Sequence, residues 1–260
     1  MPYAKARPVT AEEIPIIDVG PLMAEQPGAL ESTAEAIMGA SQGLGFYYIR
    51  NHAVTTEIRE QAFAASRAFF LGSVEAKRAI ATNDINRGWM GIGEALMTGA
   101  TRTDLKELFS WGLELGPDDP EVQAGTPFRG PNQWPQSSPT MRSAIYDGFY
   151  AAGCRTGAAL LRAVCVGLGL KPDALASCFE KPMARGQLIY YPPQPADMGE
   201  EQFGVSAHTD FGCLTMVCQD DLGGLQVRTR DGEWLAVPPV EGTLLVNVGD
   251  LLARWSNGRF

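Results

Sequence analysis

The residues best suited to chemistry are His208 and Asp210, which lie either side of Thr209 in residues 205–217. Apolar and β-branched flanks predict a strand, a tight bend and a second strand. Because successive strand side chains point to opposite faces, the imidazole and the carboxylate are predicted to share a face while Thr209 points away. Together they can hold two adjacent positions on a metal ion. They would supply two ligands of the His-carboxylate-His triad that leaves open positions on non-haem Fe(II).

The pair also has an ordinary structural explanation, a strand-end histidine hydrogen-bonded to a turn aspartate, because H-x-D is a short and common pattern. The third ligand should be a second histidine from a later strand, but the sequence has no histidine after His208. His52 is the only other histidine in the sequence. It lies far upstream, and we expect it to be packed and hydrogen-bonded rather than a ligand.

The composition is that of an ordinary globular protein, with 45% hydrophobic and 20% charged residues among 260, enough for one large domain or two small ones. There are 30 acidic and 21 basic residues, a formal net charge of −9. This argues against a nucleic-acid partner. No apolar run is long enough to span a bilayer. We expect a small-molecule substrate as the partner; the sequence does not fix an oligomeric state, and a monomer is the default.

The N-terminal residues lack the apolar core of a secretory signal, so we expect a cytoplasmic protein. The five cysteines are odd in number and scattered, without a C-x-x-C pair. We therefore expect reduced thiols, mostly in the core, and neither disulfides nor a zinc–thiolate site. They are Cys154, Cys165, Cys178, Cys213 and Cys218.

The first third of the chain alternates predicted strands and helices. An apolar run broken by Pro15 is predicted to be an edge strand, residues 29–42 a helix, and residues 45–52 a second strand. Thr56 is predicted to cap the next helix and Ser73 a shorter one.

Residues 87–139 are rich in Gly, Pro and Trp and predict loops and short strands. Ser138 and Pro139 then open a long helix as its N-cap and first helical residue. Apolar residues from Ile145 to Val164 recur at helical spacing, so one face should be buried. We expect this helix to brace the sheet that follows.

After Gly186 the pattern changes to short strands separated by Gly, Pro and Asp turns, which is typical of a sandwich or jelly roll. Asp231-Gly232 is a strong hairpin signal. Strands are predicted at residues 188–191, 205–208, 214–219, 225–228, 234–237 and 243–248.

A second turn signal, Asn257-Gly258, follows residues 251–256, which we predict to be the first arm of a hairpin. The return arm has only Arg259 and Phe260. We therefore expect the sheet to be cut at this point, with a short terminal edge strand as the alternative.

Short motifs spread along the chain give the strongest indication of its class. In chain order they are Ile14-Pro15-Ile16-Ile17-Asp18, Gly45-Phe46-Tyr47-Tyr48-Ile49-Arg50-Asn51-His52, Phe69-Phe70, Glu75-Ala76-Lys77, Arg87-Gly88-Trp89, Asp104-Leu105-Lys106-Glu107, Asn132-Gln133-Trp134-Pro135, Tyr190-Tyr191-Pro192, His208-Thr209-Asp210, Gly224-Leu225-Gln226-Val227, Val246-Asn247-Val248-Gly249-Asp250 and Ser256-Asn257-Gly258. Each is weak alone, but the collinear set is specific. With these motifs the chain resembles, over nearly its whole length, the isopenicillin N synthase-like family of Fe(II)/2-oxoglutarate-dependent oxygenases.

The resemblance implies an α+β fold, namely a distorted double-stranded β-helix (a cupin-like jelly roll) with an N-terminal α/β portion and a long bracing helix. It divides the chain into two parts. Residues 1–135 are the N-terminal dioxygenase portion, and residues 136–260 hold the bracing helix and an incomplete jelly-roll core.

By the same resemblance, His208 and Asp210 ligate Fe(II), and Tyr191 hydrogen-bonds the far carboxylate of 2-oxoglutarate. Tyr190 would face the opposite side of the strand. The implied cofactors are Fe(II), 2-oxoglutarate as cosubstrate, and O2. The implied reaction is the oxidation of a small organic substrate, with release of succinate and CO2, by hydroxylation, desaturation, ring closure or ethylene formation. The alternatives are a 2-oxoglutarate-independent oxidase of the same fold and a truncated, non-catalytic binding protein.

Three departures from the family pattern matter. The family's distal histidine and its Arg-x-Ser pair, which clamps 2-oxoglutarate, lie just beyond the Ser-Asn-Gly turn, and the sequence ends at Phe260 before both. Ile189 replaces a frequent Asn and Gln187 a frequent Arg, so the cosubstrate contacts and substrate class stay open. We expect the chain alone to lack full oxygenase activity, because even the loss of groups that orient metal ligands costs roughly 10–100-fold in affinity or activity.

Four further residues are predicted to be structural. Asn247 and Asp250 are expected at a strand end and a turn rather than in catalysis. Trp89 and Phe211 could line a substrate pocket, but large aromatic residues more often belong to the core.

Overall fold

The computed structural model describes residues 6–95, 102–193 and 203–260. Residues 1–5, on which the expectation about a secretory signal partly rests, lie outside these ranges. The contacts of the chain divide it into two compact units, each described by itself below. The first unit contains Glu60–Ala151 and Cys178–His208. The second contains Pro2–Arg59, Ala152–Ser177 and Thr209–Phe260.

Helices and short strands are mixed along the chain. In the described residues the strands are β1 Arg7–Pro8, β2 Ile16–Asp18, β3 Phe46–Arg50, β4 Gly88–Met90, β5 Glu107–Gly112, β6 Arg185–Tyr190, β7 Leu214–Val217, β8 Gln226–Arg228, β9 Trp234–Ala236 and β10 Thr243–Val248. The α-helices are α1 Gly20–Met23, α2 Ala29–Gln42, α3 Thr56–Phe70, α4 Val74–Arg78, α5 Pro120–Gln123, α6 Pro139–Arg142, α7 Ala151–Gly167 and α8 Asp250–Trp255. Ser143–Tyr150 is π-helical, and Ala176–Phe179 is a 3₁₀ turn.

The first unit is built on an antiparallel sheet with the strand order β4-β5-β6. Alternation along β5 places Phe109 and Trp111 on one face, where both are buried in an aromatic cluster with Trp89. Tyr190 of β6 joins the cluster and stacks on Phe70, with the ring centroids 5.5 Å apart. This aromatic core therefore covers one face of the sheet.

The second unit contains two sheets within its described residues, one with the order β2-β3-β10-β7 and one with the order β1-β9-β8. β10 is central in the first of these and pairs antiparallel with both β3 and β7. Its apolar residues Leu244, Leu245 and Val246 are buried, as expected for a strand covered on both faces. β2 is an edge strand, as Pro15 predicts, and β8 and β9 form the hairpin predicted from Asp231-Gly232.

Two predicted elements are wrong. Residues 205–208 are not a strand: they have no regular structure, because Asp104 rather than a neighbouring strand satisfies the Ser206 backbone N–H. The predicted hairpin at Asn257-Gly258 is the end of helix α8, in which Gly258 N donates to Ala253 O at 2.9 Å. Both turn residues have positive φ, 56° and 74°. Hairpin turns and helix C-termini need this same conformation, so Asn-Gly does not distinguish them.

The predictions of the helix caps are confirmed only in part. Ser73 caps α4, accepting from Ala76 N at 3.2 Å. Thr55, not Thr56, caps α3 through a bond from Ile58 N at 3.3 Å. Pro139 opens α6 as predicted, but Ser138 makes no side-chain cap bond.

The fold is a mixture of helices and sheets, and the strands that the structure describes do not close into a barrel. None of the five cysteines, all of which lie in the described ranges, forms a disulfide bond. Cys165 and Cys213 are buried, whereas Cys178 is exposed, so the expectation of core thiols is right only for some. None of the helices in the described ranges has the length and apolar character needed to cross a bilayer.

Gly186→Ala should destabilise the first unit. A Cβ at Gly186 would lie 2.2 Å from the ring of Trp111, which is buried in the aromatic core. We expect a loss of about 1–3 kcal/mol in the free energy of unfolding, measured by urea denaturation. The control is Gly153→Ala in α7, where a Cβ would meet nothing within 4 Å. It should be neutral or stabilise by up to about 1 kcal/mol. Equal stability of the two variants would contradict the packing described here.

Candidate functional site

His208 ends an irregular segment of the first unit that is held by a buried carboxylate. Asp104 is completely buried. Its Oδ1 accepts hydrogen bonds from both the backbone N and the Oγ of Ser206, each at 2.9 Å. At the start of the segment, Phe203 O accepts from Leu105 N at 3.1 Å. The segment is therefore positioned by residues 104–105 without a strand ladder.

The contact between His208 and Ser206 selects the tautomer of the imidazole. Nδ1 of His208 lies 2.8 Å from the carbonyl oxygen of Ser206. A carbonyl can only accept, so Nδ1 carries the proton, and in the neutral ring the lone pair is on Nε2. Histidines that bind metals are commonly oriented by such a bond from the other ring nitrogen.

A buried lysine balances the charge of Asp104. Lys106 Nζ lies 3.0 Å from Asp104 Oδ2, and the two side chains are 7% and 0% exposed. That oxygen has no well-aligned hydrogen bond in the described residues, so the contact acts as an ion pair. One continuous chain of polar contacts therefore runs from Lys106 through Asp104 and Ser206 to His208. We call it the Asp104 relay.

Asp210 belongs to the second unit and is held there by two residues around β10. Asn247, 8% exposed on β10, donates from Nδ2 to Asp210 Oδ2 at 2.8 Å. Asp250 N donates to Asp210 O at 2.7 Å, and Asp250 Oδ2 accepts from Thr209 Oγ1 at 2.9 Å. Asn247 orients the carboxylate, and Asp250 fixes the backbone that carries it.

Gly249 completes this arrangement. A Cβ there would lie 2.2 Å from Gly212 O and 2.8 Å from Asp210 O, so no larger residue fits. Asn247 and Asp250 lie at a strand end and a helix start, close to the positions predicted for them, but their contacts with the Asp210 segment were missed. The only sequence signal for these contacts is the motif Val246-Asn247-Val248-Gly249-Asp250.

Tyr191 follows β6 in the first unit and packs against Gly204, where a Cβ would lie 2.9 Å from the tyrosine ring. Burial, and then the negative charge of Asp104, raise the pKa of Tyr191, so its hydroxyl stays protonated and can donate. The residue is 47% exposed and reaches solvent. Tyr190 turns into the aromatic core instead, so the two tyrosines point to opposite sides, as predicted.

His52 is packed in the second unit, as expected, and burial lowers the pKa of its imidazole. Neither ring nitrogen has a well-aligned hydrogen bond in the described residues, but the ring interacts with the backbone of Val54, which partly offsets the effect of burial on the pKa. In the same ranges no group of three or more His, Cys, Asp or Glu side chains is arranged to hold a metal ion.

The two aromatic candidates for a pocket differ. Trp89 is in the core, where its Nε1 donates to Glu107 Oε2 at 2.8 Å. Phe211 is 85% exposed and is not a core residue.

Two family models match the chain. One is described as the non-haem dioxygenase in morphine synthesis N-terminal family and matches residues 14–137. The other, the 2OG-Fe(II) oxygenase superfamily, matches residues 185–260. Together they cover most of the sequence.

Named relatives agree with these matches. A 2-oxoglutarate-Fe(II) type oxidoreductase of Emericella nidulans is 32% identical over 252 residues, covering 95% of this chain and 72% of the relative. A homoarginine-6-hydroxylase of Glycine max is 33% identical over 264 residues, covering 95% of this chain and 78% of the relative.

Solved structures agree as well. A full-length Neurospora crassa protein, solved in complex with alpha-KG and thymine, superposes with a TM-score of 0.81 at 28% identity, covering 97% of this chain and 79% of that one. The rice dioxygenase for auxin oxidation superposes with a TM-score of 0.70 at 28% identity, covering 95% and 75% of the two chains.

Asp104→Ala should destabilise the first unit strongly. It leaves Lys106 as an unpaired buried charge, which costs about 3–5 kcal/mol, and it removes both bonds to Ser206. The double variant Asp104→Ala/Lys106→Met lacks both charges and should recover part of this loss in urea denaturation.

The two effects of Asp104 can be separated by amide hydrogen exchange. The double variant should regain stability but not the protection of the Ser206 amide, because its acceptor is gone. An Asp104→Ala variant as stable as the parent, or a protected Ser206 amide in both variants, would contradict the relay.

Proposed function

Because this chain belongs to the isopenicillin N synthase-like family of Fe(II)/2-oxoglutarate-dependent oxygenases, we propose that it oxidises a small organic substrate with 2-oxoglutarate and O2 as cosubstrates. Hydroxylation, desaturation, ring closure and ethylene formation are the reaction types that fit, with succinate and CO2 as the products of the cosubstrate. The family relationship supports the class of reaction, and the contacts around His208 support the site.

His208 and Asp210 are the proposed Fe(II) ligands. The observation that carries this assignment is the bond from His208 Nδ1 to Ser206 O, which puts the lone pair on Nε2. An imidazole nitrogen and a carboxylate oxygen form a donor set that suits non-haem Fe(II). Bound iron would supply the redox chemistry that couples O2 reduction to oxidative decarboxylation of 2-oxoglutarate and oxidation of the substrate.

The protein residues have separate tasks in this proposal. The carbonyl of Ser206 holds the proton on Nδ1 and so fixes the tautomer and the orientation of the neutral imidazole. Asp104 fixes Ser206, and Asn247 orients the Asp210 carboxylate. Such supporting bonds raise metal affinity because the ligands do not have to be ordered when the metal binds.

Tyr191 is the proposed donor to the far carboxylate of 2-oxoglutarate. Its raised pKa keeps the phenol protonated, and a neutral hydroxyl donating to a carboxylate is a charge-assisted hydrogen bond. Its contact with Gly204 ties it to the segment that carries His208.

We also propose the finer architecture, a double-stranded β-helix core in residues 136–260 with its bracing helix, preceded by an N-terminal portion in residues 1–135. The ranges of the two family matches, 14–137 and 185–260, support this division. The structural likeness to the Neurospora crassa protein supports the core.

The ligand assignment is tested by anaerobic equilibrium dialysis against Fe(II). His208→Ala and Asp210→Ala should each weaken iron binding by about tenfold or more, because each loses a ligand whereas changes to supporting groups already cost roughly 10–100-fold. Asp231→Ala removes the same charge from an exposed hairpin turn and is the matched control. Unchanged iron affinity in His208→Ala would reject the assignment.

The cosubstrate contact is tested by Tyr191→Phe. In iron-loaded protein under anaerobic conditions, 2-oxoglutarate binding should weaken by about tenfold, the value of one hydrogen bond to a charged group. Tyr190→Phe removes the same hydroxyl from the core tyrosine and should leave the affinity unchanged. If the two variants bind 2-oxoglutarate equally well, Tyr191 does not contact it.

A further inference from the structure

The face of the β4-β5-β6 sheet opposite the aromatic core carries a graded set of side chains. In the antiparallel register of β5 and β6, Ser110 is opposite Gln187 and Gly112 is opposite Arg185. Cross-strand partners share a face, so these residues lie on the same side of the sheet. Ile189, opposite Leu108, continues this face and is 42% exposed. The face is therefore apolar at Ile189 and becomes polar and cationic toward Arg185.

Arg185 is the cationic end of this face. Its Nη2 donates to Ser110 Oγ at 3.2 Å, and Gln187 Nε2 donates to the same oxygen at 3.1 Å. A guanidinium has five N–H donors, and among the described residues this is the one hydrogen bond that Arg185 makes. No carboxylate in those residues pairs with it. Most of the N–H donors of Arg185 thus have no partner among the described residues and could bind an anion.

A second guanidinium lies beside it. Arg87 packs over Gly112, where a Cβ would lie 2.3 Å from Arg87 Nη2. It is 5% exposed and donates only to backbone carbonyls, among them Phe128 O at 2.9 Å. Its Nε has no partner within the part of the chain that the structure describes. A buried guanidinium that pairs with no carboxylate is unusual, because buried charges normally have a partner of opposite sign.

The electrostatics of the two arginines favour an anion beside them. Burial lowers the pKa of Arg87, and the positive charge of Arg185 lowers it further. Although Arg185 is an exposed residue, desolvation also lowers its pKa, so its charged end lies against the protein. The two guanidinium charges repel each other, although the chain as a whole has a formal net charge of −9. A bound carboxylate would offset this repulsion.

We propose that Arg185, assisted by Gln187, Ser110 and the field of Arg87, binds a carboxylate group of the substrate. The apolar stretch at Ile189 and Leu108 takes the hydrocarbon body of the same molecule. The substrate class is thus a carboxylic acid with an apolar body, held by its acid end away from Tyr191. The assignment of this anion as substrate rests on the proposed oxygenase function.

The cosubstrate is not the anion bound at this subsite. Arg185 and Tyr191 are six residues apart along one extended segment. At about 3.3 Å per residue their Cα atoms are separated by roughly 20 Å. 2-Oxoglutarate is much shorter than this distance, so a molecule held by Tyr191 would contact Arg185 only if both side chains extended toward each other along the strand.

The test uses octanoate and octanamide as a matched pair of probes, with isothermal titration calorimetry on the whole chain. The parent protein should bind octanoate about tenfold tighter than octanamide, because charge-assisted hydrogen bonds are formed only with the acid. Arg185→Gln should abolish this preference and leave octanamide binding unchanged. Arg185→Lys keeps the positive charge but lacks the planar guanidinium, so it should retain part of the preference for octanoate.

The control is Arg155→Gln, which removes an exposed arginine from α7 and should keep the full acid preference. Circular dichroism of each variant checks that the fold is intact. The proposal is overturned if octanoate does not bind tighter than octanamide to the parent protein, which includes binding of neither, or if the preference survives Arg185→Gln.

Two further titrations separate this subsite from the rest of the site. Arg185→Gln should bind 2-oxoglutarate as tightly as the parent protein, and a loss of that affinity would assign Arg185 to the cosubstrate and overturn the proposal. His208→Ala should keep the preference for octanoate. The two proposals can therefore fail separately. The iron assignment fails if His208→Ala binds iron as tightly as the parent protein. The subsite proposal fails if the parent protein shows no preference for octanoate over octanamide.

Discussion

The bond between the buried carboxylate of Asp104 and Ser206 is the interaction on which the position of His208 depends. Residues 203–208 have no strand partner to fix them, so the two donors of Ser206 are their main anchor. The carbonyl of the same Ser206 then fixes the tautomer of His208. One carboxylate therefore determines where the segment lies and which nitrogen of its histidine has a lone pair.

A buried carboxylate can have this role only if its charge is balanced. Lys106 supplies the balance at 3.0 Å. The same motif contributes a second buried pair, in which Glu107 accepts from Lys77 Nζ at 2.7 Å. Buried ion pairs add little net stability, but breaking one is expensive. The motif Asp104-Leu105-Lys106-Glu107 thus contributes two buried ion pairs, and such contacts help to hold residues in place, which a site for a metal ligand requires.

The sequence predicted regular elements well where a local pattern decides them. β10 and α2 have the predicted bounds because an apolar run between turn residues and a helical period are both local signals. Residues 205–208 were predicted as a strand because their composition suits one, but Asp104, about a hundred residues away in sequence, decides their conformation. No local pattern carries that information.

In the candidate site, too, local motifs were predicted and long-range contacts were missed. The family motifs singled out His208, Asp210 and Tyr191, and the short spacing of the first two is visible in the sequence. The contacts of Asn247 and Asp250 with the Asp210 segment depend on tertiary packing and could not be read from spacing. The cationic face at Arg185 was missed as well, because it needs the register of β5 against β6.

The central claim, that His208 is an iron ligand in a site that also binds 2-oxoglutarate, is tested most directly by anaerobic absorption spectroscopy. Fe(II) is added to the protein, followed by 2-oxoglutarate, and the weak visible charge-transfer band of the iron–2-oxoglutarate chelate is recorded. We predict that, at the same iron concentration, the band is clearly stronger in the parent protein than in His208→Ala, because the variant binds iron about tenfold or more weakly. A band of equal intensity in both proteins, or no band in the parent, would contradict the account.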